Sequence, residues 1–178
     1  MSFWTIRHPE IDRQGRCIGQ TVVPITQPIE DAVREALGAA PIRPTRLFSS
    51  DLPRCAELAA ALAASWQLEV NISPLLRELS FGVWENRHYD DIDTEDTVRW
   101  RDWCEKWKTM APPEGESLEM LLLRLRQWVQ VAQPDEQSVV VTHAGVIRGL
   151  RVLAGSNWDK EMTSAVPFLG WQMVDVHI

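Results

Sequence analysis

The residues most able to do chemistry in this chain fall at four places. Arg7 and His8 follow the short apolar run "FWTI". Ser49, Ser50 and Arg54 lie in "FSSDLPRC", Arg77 and Glu78 in "LLRELSF", and Thr142, His143, Ala144 and Gly145 in "VVVTHAGVIRGL". Arginine forks match the oxygens of a phosphate. Imidazoles serve as nucleophiles or proton carriers near neutral pH, and a carboxyl completes an acid–base set. Phosphate is therefore the guest this set suits. The rival use of histidines is zinc. No H-x-H or H-E-x-x-H spacing occurs, and the arginines would repel a cation, so neither a metal nor a cofactor is expected. His88 and His177 lie outside the set and read as structural.

The elements that must hold these residues alternate along the chain. "FWTIR", "TRLFSS", "LEVNI", "QSVVVT" and "GWQMVDVHI" read as strands. "PIEDAVREALGAA", "DLPRCAELAAALAASW", "SLEMLLLRLRQWVQVAQ" and "GVIRGLRVLAG" read as helices. In the first helix Ile29, Val33 and Leu37 recur four apart. Ser50 or Asp51 is placed to cap the second, with Pro53 in its first turn. Ser117 is placed to cap the third, with Glu116 and Glu119 at its positive end. The run "SVVV" has no polar interruption, as in a strand covered on both faces. Strand–helix alternation predicts an α/β fold: a three-layer αβα sandwich with a mostly parallel sheet and right-handed crossovers. In such sheets ligands bind beyond the carboxyl ends of the strands, where the candidate residues fall. Two helix N-termini point to the same edge with free N–H groups.

One stretch breaks the alternation. More than forty residues separate "LEVNI" from the Ser117 helix, and a segment that long within a domain is usually functional. Trp100, Trp103 and Trp107 recur within it at helical spacing, so one face is expected to carry all three. The plainer expectation is that this face packs on the domain core. The alternative is a cap whose aromatic face lines a substrate pocket.

With 178 residues, one domain spanning 1–178 is expected, with a cap-like insertion at about 77–116. The net charge of −7 argues against non-specific nucleic-acid binding, though not against a local basic pocket. No apolar run approaches a membrane span, and the first residues lack the pattern of a signal peptide. Cys17, Cys55 and Cys104 are far apart and form no CxxC pair, so reduced thiols in a cytoplasmic protein are expected.

In their order these segments resemble the histidine phosphatases, the phosphoglycerate mutase-like superfamily. "IRHPE" resembles its R-H-G-E signature and "FSSDLPRCAELAAAL" its S-S-x-x-x-R-A-x-x-T-A motif. "LRELSFGVWENR" resembles L-x-E-x-x-F-G-x-W-E-G, "PPEGESLEML" resembles the P-x-G-E-S helix start, and "VTHAGVIRGL" resembles V-S-H-G-G-V-I-R. The loop "GRCIGQTVVPIT" is most similar to the α-ribazole phosphatase branch. The resemblance implies that His8 is a nucleophile forming a phosphohistidine. It implies that Arg7, Arg54 and His143 hold the phosphoryl oxygens, and that Glu78 is the general acid. Nucleophilic His8 must then be neutral at one nitrogen, whereas a cationic His143 would help to bind phosphate, and opposed states in one pocket require separate environments. The apolar neighbours of Glu78 would give it a poorly solvated setting.

The sequence departs from the family pattern at several points. Pro9 replaces the signature glycine; it offers no N–H and holds His8 extended. Ile11 stands where threonine is common, Asn86 in place of the W-E-G glycine, and Ala144 in place of the first glycine after His143. The family's phosphate-binding asparagine is not evident, and Gln20 or Thr21 is the expected substitute. The implied substrate is a small phosphorylated metabolite, with α-ribazole 5′-phosphate as a specific candidate. The alternatives are a phosphomutase, whose members are usually longer than 178 residues, and a non-catalytic phospho-ligand-binding protein on the same fold.

Overall fold

In the computed structural model, which describes residues 1–177, the first strand, β1 (Ser2–Arg7), is an inner strand of a five-stranded sheet. It pairs in parallel with β4 (Ser138–Thr142), which pairs in parallel with β2 (Arg46–Ser49), and β2 pairs likewise with β3 (Val70–Ile72). The last strand, β5 (Trp171–Asp175), runs antiparallel along the other side of β1, giving the order β3-β2-β4-β1-β5. All five residues of β4 are buried, as its unbroken apolar run predicts.

Side chains alternate between the two faces of the sheet, and each face builds its own core. Phe3, Phe48, Val140 and Val174 meet α5 (Leu118–Ala132) and α6 (Ala144–Leu153) through Leu121, Leu125, Trp128, Val146 and Leu150. Ile6, Leu47, Val139 and Val141 meet α1 (Ile29–Gly38) and α2 (Pro53–Trp66) through Ala32, Ala36, Leu58 and Leu62. The expected three-layer αβα sandwich is thus present. The chain after β1 goes to α1 on one face, whereas the chain after β4 goes to α6 on the other. Adjacent parallel strands whose connections diverge leave a crevice at their carboxyl ends. His8 and His143 are the first residues beyond those two ends.

Capping differs in part from expectation. Ser117 caps α5 by accepting from the Met120 N–H (3.1 Å). Pro53 opens α2 after Leu52, with no side-chain cap. Asp51 is taken by a two-pronged ion pair with Arg77 (2.7 and 2.5 Å), a stronger partner than a helix end. Ser50 Oγ accepts from Leu52 N and faces His143. Glu116 is likewise drawn from the helix end into a pair with Arg124 (2.6 and 2.8 Å).

The segment between β3 and α5 holds two 3-10 turns (Pro74–Leu76 and Gly82–Trp84), then α3 (Tyr89–Glu95) and α4 (Thr97–Lys106). It has a small core of its own around fully buried Trp84, with Cys17 and Ile92. Trp100 and Trp103 meet Trp84 edge-on, at 5.3 and 5.7 Å between ring centroids. Trp107 meets a different core. It follows the end of α4 and packs against the main core beside α5. Of the three rings expected on one face, Trp100 and Trp103 thus meet the small core and Trp107 the main one. Among the described residues no helix is long and apolar enough to cross a membrane.

Candidate active site

The backbone N–H of His8 donates to Thr142 O (3.0 Å), which ties the end of β1 to the end of β4. The His8 ring is 2% exposed, with Nδ1 2.7 Å from the Pro9 carbonyl. A carbonyl only accepts, so Nδ1 carries the proton and Nε2 keeps its lone pair. Pro9 cannot donate to a ligand, but its carbonyl sets the tautomer of its neighbour. His143, fully buried, has the opposite arrangement. Arg54 Nε donates to its Nδ1 (3.3 Å), leaving Nε2–H to donate to Ser50 Oγ (2.9 Å).

Both histidines lie well below the ordinary imidazole value of 6.5. For His8 the causes are burial, then the charge of Arg54, partly offset by the Pro9 hydrogen bond. For His143 they are burial, then His8 and Arg54. In the free site, then, neither ring is cationic at neutral pH. Without an anion in the pocket, desolvation and the arginines outweigh any gain from charging either ring.

Arg54, 3% exposed, sits in the first turn of α2. Its Nη1 and Nη2 donate to Thr21 O (2.9 Å) and Gly19 O (2.6 Å). Arg7 donates to Val166 O (2.6 Å), and its guanidinium lies 3.7 Å from the centre of the Phe168 ring. Burial first, then Arg13, lowers its pKa to about 10, which leaves it charged at neutral pH. The Nε of Arg7 is buried without a partner, the one such side-chain nitrogen or oxygen among the described residues. A buried donor on a charged group is costly to leave unpaired, and a phosphoryl oxygen would satisfy it.

Glu78, 9% exposed, follows the first 3-10 turn. Its carboxylate accepts from Leu79 N (3.0 Å) and from Gly145 N (3.1 Å) at the start of α6. Its surroundings are thus polar as well as poorly solvated. A Cβ on Gly145 would stand 2.2 Å from Glu78 Oε1, so only glycine permits this approach. Gln20 Nε2 (3.0 Å) and Arg124 Nη2 (3.2 Å) both donate to the Glu78 carbonyl. Arg77, next in line, turns away to Asp51.

Two cavities adjoin the site, one lined by Arg7 and the other by Glu78. One, of about 700 Å³, is bounded by Arg7, Glu10, Asp12, Thr26 and Phe168. The other, of about 490 Å³, is mostly apolar and bounded by Glu78, Phe81, Trp103, Trp107, Met110 and Trp158. Arg13, Ala144 and Arg148 border both. His8, Arg54 and His143 lie buried, on the wall of neither cavity. Gln20 sits beside Glu78, whereas the Thr21 hydroxyl is spent on Glu85 (2.5 Å). Sequence reading missed Arg13, Arg148 and Phe168. Arg148 was within reach, since it stands one helical turn after Ala144 on the same face. Nothing in the local pattern marks Arg13 or Phe168.

Comparison with known proteins agrees with this geometry. The sequence profile of the Histidine phosphatase superfamily (branch 1) matches residues 3–165. The adenosylcobalamin/alpha-ribazole phosphatase of Salmonella typhimurium is 28% identical, over 99% of this chain and 91% of that protein. The crystal structure of the alpha-ribazole phosphatase from Shigella flexneri superposes with a TM-score of 0.86 at 27% identity, over 99% of this chain and 91% of that one. A protein named probable phosphoglycerate mutase GpmB, of Enterobacter sp. (strain 638), is 30% identical over 71% of this chain and 60% of its own length.

Proposed function

The chain belongs to the histidine phosphatase superfamily, and we propose that it hydrolyses small phosphomonoesters through a phosphohistidine at His8. The observation that carries this reading is the His8 tautomer: its proton is committed to Pro9 O at Nδ1, and Nε2 keeps a free lone pair among cationic groups. In the first step the Nε2 lone pair forms the N–P bond as the bond from phosphorus to the ester oxygen breaks. Arg7 and Arg54 stabilise the phosphoryl oxygens, joined by the Nε2–H of His143 as it exchanges Ser50 Oγ for a phosphoryl oxygen. Glu78, protonated, gives its proton to the departing oxygen. In the second step water attacks phosphorus and passes a proton to Glu78. The N–P bond breaks, and its electron pair returns to His8.

The leaving group would occupy the apolar chamber, because Glu78 stands at its edge. Aromatic walls of Phe81, Trp103, Trp107 and Trp158 suit a flat, weakly polar leaving group. α-Ribazole 5′-phosphate would release a leaving group with an aromatic base, and the names of the relatives support it as the specific substrate. On this reading the segment between β3 and α5 is the cap that shapes the chamber. Cys17, Cys55 and Cys104 are unpaired and the first two buried, which supports a reducing, cytoplasmic setting.

The test is to quench a reaction with labelled substrate within the first turnover and locate an acid-labile, base-stable phosphate. The expected result is label on His8, with none in a folded His8→Ala variant. Full activity in that variant would overturn the mechanism. The mutase alternative, raised by the similarity to the GpmB protein, requires a bisphosphate primer and returns an isomer rather than free phosphate. Free phosphate released without a primer decides for hydrolysis.

A further inference from the structure

Glu85 lies outside the set that touches phosphate, yet it is among the most heavily engaged side chains near the site. Its Oε1 accepts from Gln20 N (2.8 Å) and Phe81 N (3.0 Å). Its Oε2 accepts from Gly19 N (3.2 Å), Thr21 N (3.0 Å) and Thr21 Oγ (2.5 Å). Three successive backbone N–H groups curled around one carboxylate form an anion nest, here filled by the protein itself. Gly19 is needed for the approach: a Cβ there would meet Glu85 Oε1 and Leu79 O, both at 2.3 Å.

The opposite side of the same three residues faces Arg54. The carbonyls of Gly19 and Thr21 accept from its two terminal nitrogens. The Gly19–Gln20 peptide does both jobs at once. Its N–H points to Glu85 and its C=O to Arg54, so its dipole lies between an anion and a cation in the favourable sense. Arg54 in turn holds His143 through Nε.

We propose that Glu85 is a positioning residue for phosphate binding: it fixes residues 19–21 so that their carbonyls aim the Arg54 guanidinium, and through it His143, at the phosphoryl group. The inference rests on the phosphatase reading of the site. Burial would raise the Glu85 carboxyl, but the Thr21 hydroxyl and the N–H groups of Phe81, Gln20 and Thr21 outweigh it and hold the pKa below the ordinary value. The anion that completes the nest is thus the resting form.

A double-mutant cycle on orthovanadate affinity tests this, with melting temperatures recorded for each variant. Glu85→Gln turns an acceptor into a donor facing N–H groups, and is expected to weaken vanadate binding about tenfold per folded molecule. Arg54→Ala weakens it further, and adding Glu85→Gln to Arg54→Ala produces no additional loss, because the effect is transmitted through the missing guanidinium. A Glu85→Gln variant with wild-type affinity, or one whose loss is as large without Arg54 as with it, overturns the proposal. If Glu85→Gln does not fold, Thr21→Val, which removes one donor and leaves the carboxylate, takes its place in the same cycle. Wild-type affinity in Arg54→Ala alone would instead defeat the phosphate-site reading on which the proposal stands.

Discussion

The rings of His8 and His143 stand 5.1 Å apart between centroids, with their planes at 58°, and their hydrogen bonds impose opposite tautomers: His8 is protonated at Nδ1, His143 at Nε2. Both are neutral because burial and the arginines oppose a further charge.

The first prediction follows from that neutrality. A histidine whose folded pKa is depressed stabilises the protein fully above its unfolded value of 6.5, and loses that contribution as pH falls below it. The urea midpoint should therefore fall between about pH 7 and pH 5, more shallowly in a His143→Gln variant. Ring nitrogen shifts should show neither histidine titrating near 6.5 in the free protein. Vanadate binding should take up a proton, read by calorimetry in buffers of differing ionisation enthalpy. Ordinary titration of both rings near 6.5 would contradict the geometry.

Gly145→Ala provides a second test. The new Cβ must displace the Glu78 carboxylate, while alanine is a better helix former than glycine, so stability should hold. A displacement of about 1 Å in a catalytic group costs roughly a hundredfold in rate. The loss is expected on alkyl phosphates, which need protonation of the leaving oxygen, and should be slight on nitrophenyl phosphate. Glu78→Gln should show the same selectivity more strongly. Equal losses on both substrates would remove Glu78 from the role of acid.

The tryptophans make a third prediction. Trp103 and Trp107 border the apolar chamber and Trp100 does not. Alanine at 103 or 107 should raise KM for an aromatic leaving group about tenfold, equivalent to about 1.4 kcal/mol, and barely change it for a small alkyl phosphate. Alanine at 100 removes a half-buried ring from Trp84 and Trp103, so it should cost about 2 kcal/mol of stability with selectivity unchanged. Melting temperatures and both kinetic constants separate the cases.

Arg13 supplies the fourth. Among the described residues its guanidinium has no hydrogen-bond or ion-pair partner, and it borders both cavities. Its charge reaches Arg7, His8 and Arg54. Arg13→Ala should lower kcat/KM about fivefold at low salt and flatten its dependence on ionic strength, the mark of lost electrostatic attraction. An unchanged salt dependence would place Arg13 outside substrate capture.

Much of this was legible in the sequence because it depends on periodicity and on strand ends. Alternating strands and helices specified the layers, and a chain leaving a parallel strand must pass the edge where ligands bind. That alone put His8, Arg54, Glu78 and His143 on one rim. The Ser117 cap was readable for a similar reason, since a cap acts within three residues of itself.

What only tertiary structure decided involves partners far apart in the chain or atoms without residue identity. A carbonyl belonging to Pro9 sets the His8 tautomer, and no side chain announces it. Arg77 and Glu78 are neighbours in sequence, yet one turns to Asp51 and the other to Gly145. The spacing of Trp100, Trp103 and Trp107 promised one face, but which core or chamber each ring meets depends on the elements packed against it. The protonation of His143 is not written in the sequence, because charge state depends on burial and on every cation nearby. Pattern along one strand reports neither; both are sums over the packed whole.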